Sequence, residues 1–417
     1  MSDSRNIVLI SFDSLRADHC GYMGYDRETT PTLDEMADEG IAFERAISPA
    51  SRTNPSMAGI FTGESIVFRD KVSNPDISRS HIERYGTIAE DLQELGYNTG
   101  AYNPNAYASR YFGFDKGFDH YEDFFFSEDT YQSIFDKHLS GSGLYATFRN
   151  LRNFIRQEEV FRTWESYIDD VESWATEEPF FLWIFSLETH FPYLTPRKYR
   201  QYSSFTDQYY YNWICNRLID QFDVNVSDRT WKKIIDIYDD SIWFGDLLLA
   251  ELRERLAEYD PLFVVIGDHG EAFGEHGTYG HFYPELYQEN IHVPWVVWSK
   301  DVPSEKISEP ISLLGLREML RAYASTGELT VPNRNRPPIA SEYDGRQARN
   351  LTGIWSHEVN YVRDQTSRDT QENVATTNGT DPDDKLAEAL RAAVSRRTRH
   401  EHELLSIREA AENVEKA

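Results

Sequence analysis

Short apolar runs alternate with amphipathic stretches over the first 300 residues of the chain. Runs in which nearly every position is apolar are typical of strands buried on both faces of a sheet. Such runs predict strands at "NIVLIS", which ends just before Asp13, and at "IAFERAI", "GAYN", "PFFLWIFS", "PLFVVIG" and "VPWVVWS".

Amphipathic stretches between these runs predict helices. In "TPTLDEMADEG", Thr30 suits the N-cap, Pro31 the first turn and Gly40 the stop. Further helices are predicted from Thr87 to Gly96, after Thr53, and over about residues 228–258. Strands that alternate with helices indicate an α/β fold with a mostly parallel sheet covered on both sides.

Polar residues follow the predicted strands, at the edge where such sheets bind ligands. We therefore expect these side chains to meet, and their types suit metal ions and oxyanions. They are Asp13, Thr53, Asn103, Asn105, Glu188, His190, Asp268 and His269.

The chain divides into a predicted catalytic domain over residues 1–325 and a C-terminal annex over residues 326–417. In the annex, "RPPIASEYDG" and "EVNYVRD" predict a small antiparallel sheet, followed by a polar linker ("TSRDTQENVATTNGTDPDD") and a helical tail from Lys385. Residues 120–230 are rich in aromatic side chains and weakly periodic. They could line the substrate site or simply form a covering layer.

The net charge of −28 is spread along the chain, and no Lys occurs before Lys71. At 1 M salt, repulsion between charges more than about 3 Å apart is largely screened. We therefore expect a salt-rich cytoplasm and a halophilic source. Nucleic acid and anionic membranes are poor partners for this surface. The chain shows neither a signal peptide core nor a membrane-spanning run, which predicts a soluble protein. Cys20 and Cys215 are expected to be reduced, although one disulfide between them would also fit.

The segment "VVIGDHGEAFGEHGTYGH" carries the clearest chemical pattern. A buried strand delivers Asp268 and His269 side by side, and a glycine-rich loop returns His276 and His281 to the same region. A carboxylate and an imidazole together suit Zn, Mn or Mg. Asp13, at the end of the first strand, would face Asp268 across the mouth of the sheet.

Thr53 starts a short predicted helix, and its hydroxyl could have two functions. Its hydroxyl could be a nucleophile, or it could cap the helix, and both roles could hold together. Ser51 and Ser56 are rival nucleophiles, although Ser56 would lie inside the helix.

The ordered blocks "DSLRADHCGYMGY", "FERAISPASRTNPSMAGIFTG", "GYNTGAYNPNAY", "GFDKGFD", "FFLWIFSLETHFPY" and "GDHGEAFGEHGTYGH…YQENIHVPWVVW" resemble the signature blocks of the sulfatase branch of the alkaline phosphatase superfamily, over about residues 5–300. The resemblance implies an alkaline-phosphatase-like three-layer α/β/α sandwich. It also implies a hydrolase of sulfuric or phosphoric esters that uses a divalent metal, which could be Mn, Zn, Ca or Mg.

The resemblance assigns roles residue by residue. Asp13, Asp268 and His269 would bind the metal, with Thr53 as the nucleophile that also contacts it. Asn105, His190, His276 and His281 would bind the substrate, and His190 and His281 would also assist catalysis. One metal is expected; a second would have to draw on His276, His281 and His292. The substrate would be an anionic ester that could carry a sugar or aryl group. The sequence does not determine the oligomeric state.

Three departures bear on the chemistry. Sulfatases oxidise a Cys or Ser in a C-x-P-S-R block to formylglycine, but Thr53 would give a ketone. Met57 replaces the Arg of that block, and Ser14 replaces a second Asp. A phosphoryl ester of threonine can still be cleared by water, so phosphate monoester, diester or phosphonate chemistry is favoured. A non-catalytic relative that binds glycan or anion, and a transferase of the phospho group, remain as alternatives.

Overall fold

A computed structural model describes residues 6–66, 75–124, 162–219, 221, 224–281, 285–334, 337–344, 349–356, 359–365, 370–376, 388–389 and 391–396. The strands are β1 (Ile7–Phe12), β2 (Ile41–Phe43), β3 (Ala46–Ile47), β4 (Asn98–Tyr102), β5 (His120–Glu122), β6 (Phe180–Ser186), β7 (Leu262–Gly267), β8 (Ala272–Phe273), β9 (Tyr279–Gly280), β10 (His292–Val293), β11 (Trp295–Trp298), β12 (Glu305–Ile307), β13 (Ile311–Ser312), β14 (Ile339–Asp344), β15 (Arg349–Trp355), β16 (Val359–Gln365) and β17 (Thr370–Thr376). The helices are α1 (Pro31–Glu39), α2 (Thr53–Thr62), α3 (Pro75–Tyr85), α4 (Ile88–Glu94), α5 (Ile168–Trp174), α6 (Phe205–Leu218), α7 (Asp228–Arg255), α8 (Gln288–Ile291) and α9 (Leu316–Thr326).

The central sheet has the strand order β12-β2-β11-β7-β1-β6-β4-β5. β1 lies between β6 and β7 and is parallel to both. β11 is antiparallel to β7 and to β2, whereas the other pairs of this sheet are parallel. The predicted α/β class with a mostly parallel sheet is therefore confirmed.

Alternate residues of β1 enter two different cores, which makes the sandwich three layers deep. Ile7 and Leu9 belong to the core that the helices α2, α4 and α9 cover. Val8 and Ile10 belong to the core under α1, α5 and α7. A strand buried on both faces explains why its sequence shows a continuous apolar run.

Most predicted helices form, with one difference in how they are capped. The helix predicted from Thr87 forms as α4, and Thr87 caps it through a full capping box with Glu90. Thr30 occupies the N-cap of α1, but its hydroxyl donates to Asp34. The free backbone N–H groups of Thr32 and Leu33 instead donate to the Asp246 carboxylate on α7. The long predicted helix ends at Arg255 and is followed by a 3₁₀ turn over Ala257–Tyr259.

Two predictions of strand organisation are wrong. "IAFERAI" forms two strands, β2 in the central sheet and β3 in a separate three-stranded sheet with β10 and β13. The polar linker predicted after β16 contains β17, which pairs with β16 at the edge of the four-stranded C-terminal sheet. An edge strand such as β17 can be held by backbone hydrogen bonds alone, so its polar sequence does not show the apolar pattern from which a strand is predicted.

The C-terminal region contains the predicted antiparallel sheet, β14-β15-β16-β17. Residues 388–389 and 391–396 are helical, and the rest of the predicted tail lies outside the described residues. Both cysteines are free and buried. Within the described part of the chain, no helix combines the length and apolar character needed to cross a bilayer.

Asp246 yields a prediction about stability. Burial raises the pKa of this carboxyl to about 7, so the folded protein holds the proton more tightly than the unfolded chain does. Its contribution to stability is then full near pH 4 and is lost as the pH rises towards 7. We expect Asp246→Asn to lower the melting temperature most near pH 4 and less near pH 7. A difference that widens with pH would show that the carboxyl is ionised in the folded state.

Candidate functional site

Two adjacent strands of the central sheet end at the candidate metal site. β1 and β7 run in register, with Phe12 opposite Gly267, so Asp13 and Asp268 follow at the same level. Asp13, Asp268 and His269 are fully buried. One potential ligand atom from each lies within 4.8 Å of the others.

Thr53 lies beside this group at the start of α2. Its Oγ1 is 3.1 Å from Nε2 of His269. Arg52 occupies the N-cap position and Thr53 is the first helical residue, so the reading of Thr53 as the helix cap is wrong. The N-terminal end of α2, where backbone N–H groups favour anions, therefore faces the same region as the carboxylates.

The protonation state of His269 suits a metal ligand. Burial, with a smaller contribution from His281, lowers its pKa to about 3, so the ring is neutral. Nδ1 lies 2.9 Å from the carbonyl oxygen of Gly270. A carbonyl only accepts, so Nδ1 carries the proton and Nε2 presents its lone pair towards Thr53 and the carboxylates.

The Asp268 carboxylate keeps one oxygen available for a cation. Oδ1 of Asp268 accepts from the backbone N–H groups of Ser14 and His269. Its Oδ2 is buried, has no hydrogen-bond partner among the described residues, and lies 3.6 Å from Nε2 of His269. Burial raises the pKa of Asp268, and the neighbouring Asp13 raises it further.

This donor set fits a divalent cation. Oδ1 of Asp13 lies 3.5 Å from Nε2 of His269, so two carboxylates and one imidazole lone pair converge. Buried carboxylates are normally paired or bound to a metal. Two oxygens and one nitrogen suit Zn, Mn or Mg. Among the described residues, these three form the one such cluster of His, Cys, Asp and Glu.

Ser14 and Asn105 hold the carboxylates in place. The Ser14 hydroxyl donates to Oδ1 of Asp13 at 2.9 Å, and its backbone N–H donates to Asp268. Ser14 has φ 63°, which is unusual for a residue with a side chain and allows both contacts. The Asn105 amide donates to Oδ2 of Asp13 at 2.5 Å, so this predicted substrate-binding residue contacts a carboxylate of the cluster.

His281 and His190 complete a group of three imidazoles. The His281 ring is 4.4 Å from that of His269 and 5.2 Å from that of His190, measured between centroids. Nδ1 of His281 lies 3.1 Å from Oε1 of Glu271. Burial lowers the pKa of His281 to about 3 and raises that of Glu271 to about 8, so the proton between them resides on the carboxyl.

Glu271 is a site residue that the sequence analysis did not single out. Its Oε2 accepts from the Tyr193 hydroxyl at 3.0 Å. The only sequence signal was its place in the "DHGE" loop, which does not distinguish it from Glu275. Glu275 instead pairs with Arg16.

Several residues expected at the site have other contacts. His276 is half-exposed, pairs with Glu289 at 3.2 Å and stacks on Tyr287; no recorded contact among the described residues joins it to the cluster. The Glu188 carboxylate accepts from Ser186 and from the backbone of Trp164. The Asn103 amide donates to the carbonyl of Ala108.

The remaining candidates are also held elsewhere. Ser56 lies inside α2 and donates to the backbone carbonyl of Asp268 at 2.6 Å. Ser51 donates to Glu342, and the His292 ring contacts the carbonyl of Glu44. Of the three candidate nucleophiles Ser51, Thr53 and Ser56, Thr53 is therefore the one whose hydroxyl contacts the cluster.

Known proteins share both sequence and fold with this chain. An arylsulfatase of Clostridium perfringens is 38% identical over 94 residues, 22% of this chain and 19% of that protein. The phosphatidylethanolamine transferase Mcr-2 of Escherichia coli is 21% identical over 306 residues, 71% of this chain and 49% of that protein. The chain thus spans at most about half the length of these relatives.

A solved structure reproduces nearly the whole fold. The phosphonate monoester hydrolase of Silicibacter pomeroyi superimposes with a TM-score of 0.64 at 15% identity, covering 96% of this chain and 95% of that one. The sulfatase family model matches residues 5–317. The chain therefore belongs to the sulfatase family.

Proposed function

We propose that the protein is a metal-dependent hydrolase of anionic esters that uses Thr53 as its nucleophile. The observation that carries this proposal is the 3.1 Å contact between the Thr53 hydroxyl and Nε2 of His269, beside two buried carboxylates. A non-catalytic anion-binding role would not require a hydroxyl presented at this point. A phosphate monoester, phosphodiester or phosphonate is the favoured substrate, with a sulfate ester as the alternative.

Asp13, Asp268 and His269 would hold the divalent metal, whose charge would polarise the ester and favour the alkoxide of a nearby hydroxyl. Thr53 would also lie within its reach. We expect one metal per chain. Its identity among Mn, Zn, Ca and Mg is left to measurement.

The reaction would proceed in two displacements at phosphorus. Oγ1 of Thr53 forms a bond to phosphorus, the bond to the leaving oxygen breaks, and that oxygen takes up a proton. Water then attacks phosphorus, the bond to Oγ1 breaks, and the Thr53 hydroxyl regains a proton. A sulfate ester on threonine lacks the formylglycine route of release, so the Thr53 side chain favours phosphorus chemistry.

The chain's own residues would manage protons and charge. His190 and His281 lie together at the site and would donate hydrogen bonds to the nonbridging oxygens or protonate the leaving oxygen. The proton between Glu271 and His281 is a source for that transfer. The N-terminal end of α2 would stabilise negative charge on the transferred group.

A transferase is the second candidate. The relative that aligns with 71% of this chain is named a phosphatidylethanolamine transferase. The same threonine intermediate would serve, with an alcohol replacing water as the acceptor. Only the second displacement would differ.

Replacing the nucleophile tests the assignment. We expect Thr53→Ala to lower kcat by at least about a thousandfold, because the first displacement loses its attacking atom. The measurement uses nitrophenyl phosphate, phosphodiester, phosphonate and sulfate in high salt. Analysis of the products with added alcohols separates transfer from hydrolysis.

Thr62→Ala is the matched control, because Thr62 ends the same helix and its hydroxyl donates to the carbonyl of Ala58. We expect this variant to keep wild-type turnover. A Thr53→Ala protein with full activity would refute Thr53 as the nucleophile.

Metal removal tests the other half of the proposal. We expect a chelator to abolish turnover and a divalent cation to restore it, because chelation would remove the metal that the two buried carboxylates and His269 would hold. Elemental analysis should give one metal per chain, and about none for Asp268→Asn. Full activity in a metal-free protein would rule the mechanism out.

The net charge of −28 leads us to propose a cytoplasmic protein adapted to high salt. We expect the melting temperature to rise steadily as KCl increases from 0.1 to about 3 M, because screening weakens repulsion among the surface acids. A melting temperature that is unchanged or falls would argue against this adaptation.

A further inference from the structure

A carboxylate from the C-terminal sheet reaches the loop that precedes Thr53. Glu342 lies on β14, and its side chain is fully buried. Its Oε1 accepts from the backbone N–H of Ser51 at 2.9 Å and from the Ser51 hydroxyl at 3.2 Å. Its Oε2 accepts from Nε and Nη2 of Arg52.

The backbone of β14 holds the same loop. The N–H of Ser341 donates to the carbonyl of Pro49 at 3.0 Å. Nη2 of Arg52 also donates to the carbonyl of Tyr343 at 3.1 Å. Residues 49–52, which we call the nucleophile loop, are thus fixed by three consecutive residues of one strand.

A buried ion pair contributes little net stability, since the cost of removing both charges from water offsets their attraction. It does fix geometry, because breaking it leaves a charge buried without a partner. Glu342 has four donors arranged around it, and two of them belong to Arg52, the residue next to Thr53. The pair is therefore better explained by positioning than by stability.

Arg52 keeps one donor group for another partner. Among the described residues, none accepts from its Nη1, and its side chain is 15% exposed. Arg52 is the N-cap of α2 and directly precedes Thr53, so this donor group belongs to the residue next to the candidate nucleophile. Burial lowers the pKa of His281 to about 3, with smaller contributions from His190 and from the charge of Arg52.

We propose that Arg52 is a substrate-positioning residue whose Nη1 donates to a nonbridging oxygen of the anionic ester, and that Glu342 of the C-terminal sheet sets the orientation of its guanidinium. The inference deepens the proposed function and rests on it. It makes the C-terminal sheet a part of the active site. A planar guanidinium whose Nε and Nη2 are held by protein acceptors keeps its Nη1 free to donate to an oxyanion.

Phosphate binding and turnover of Arg52→Gln, Arg52→Lys and Glu342→Gln test the proposal. Inorganic phosphate is titrated calorimetrically into the protein loaded with the metal that gives the highest turnover, or with Mn²⁺ where none does. We expect Arg52→Gln to weaken phosphate binding about tenfold and to raise KM more than it lowers kcat, because one charge-assisted hydrogen bond is lost. Arg52→Lys keeps a positive charge beside Glu342, so the variant should fold. Its single ammonium group cannot bind both Glu342 and phosphate, so we expect its phosphate affinity to fall by a similar factor.

Glu285→Gln is the matched control. Glu285 receives two hydrogen bonds from Arg349 of β15, so this variant breaks a second ion pair of the same sheet away from the nucleophile loop. We expect Glu342→Gln to weaken phosphate binding at least threefold, with Glu285→Gln unchanged even where its melting temperature falls.

Wild-type phosphate affinity in both Arg52 variants would overturn the proposal, and so would equal losses in Glu342→Gln and Glu285→Gln. Should Glu342→Gln fail to fold, the Arg52 variants still decide. Phosphate binding is measured without turnover. Failure of the proposed hydrolysis is therefore seen separately, as a wild-type protein that binds phosphate and turns over no ester.

Discussion

The mutual repulsion of two buried carboxylates is the constraint on which the site depends. Asp13 and Asp268 end adjacent parallel strands and are fully buried, so neither can turn towards water. Burial and the Asp13 charge raise the pKa of Asp268. Such a pair is costly without a cation, and the fold places His269 and Thr53 where they would complete that cation's surroundings.

Hydrogen bonds around the carboxylates limit how they can relax. Ser14 contacts both of them from a left-handed backbone conformation, and Asn105 holds the second oxygen of Asp13. A residue that costs strain persists when its surroundings determine it. Here the Tyr238 hydroxyl donates to the carbonyl of Ser14 at 2.7 Å, which ties this turn to the long helix α7. Contacts from three parts of the chain thus hold the two carboxylates in place.

The sequence was informative where chemistry follows a strand directly. Asp13, Asp268 and His269 could be predicted because the carboxyl ends of parallel strands share one edge. The same rule also predicted Glu188 and Asn103 at the site, but their side chains bind neighbouring backbone and hydroxyl groups. Glu342 could not be found in this way, because its contact spans 290 residues and depends on where β14 packs. The resemblance to the sulfatases supplied the roles expected of Thr53, His190 and His281, and the fold then removed the capping alternative for Thr53.

The charge of the whole molecule bears on why the site needs local cationic groups. A net charge of −28 repels an anionic ester at long range, and salt screens this repulsion beyond about 10 Å even at 0.1 M. Within that distance, only fixed groups at the site can attract the substrate. Arg52 and the N-terminal end of α2 meet where the nucleophile loop leads into Thr53, and the carboxylates near Thr53 would hold the expected cation. Long-range repulsion would therefore slow the approach at low salt without weakening the contacts that orient the ester once it has arrived.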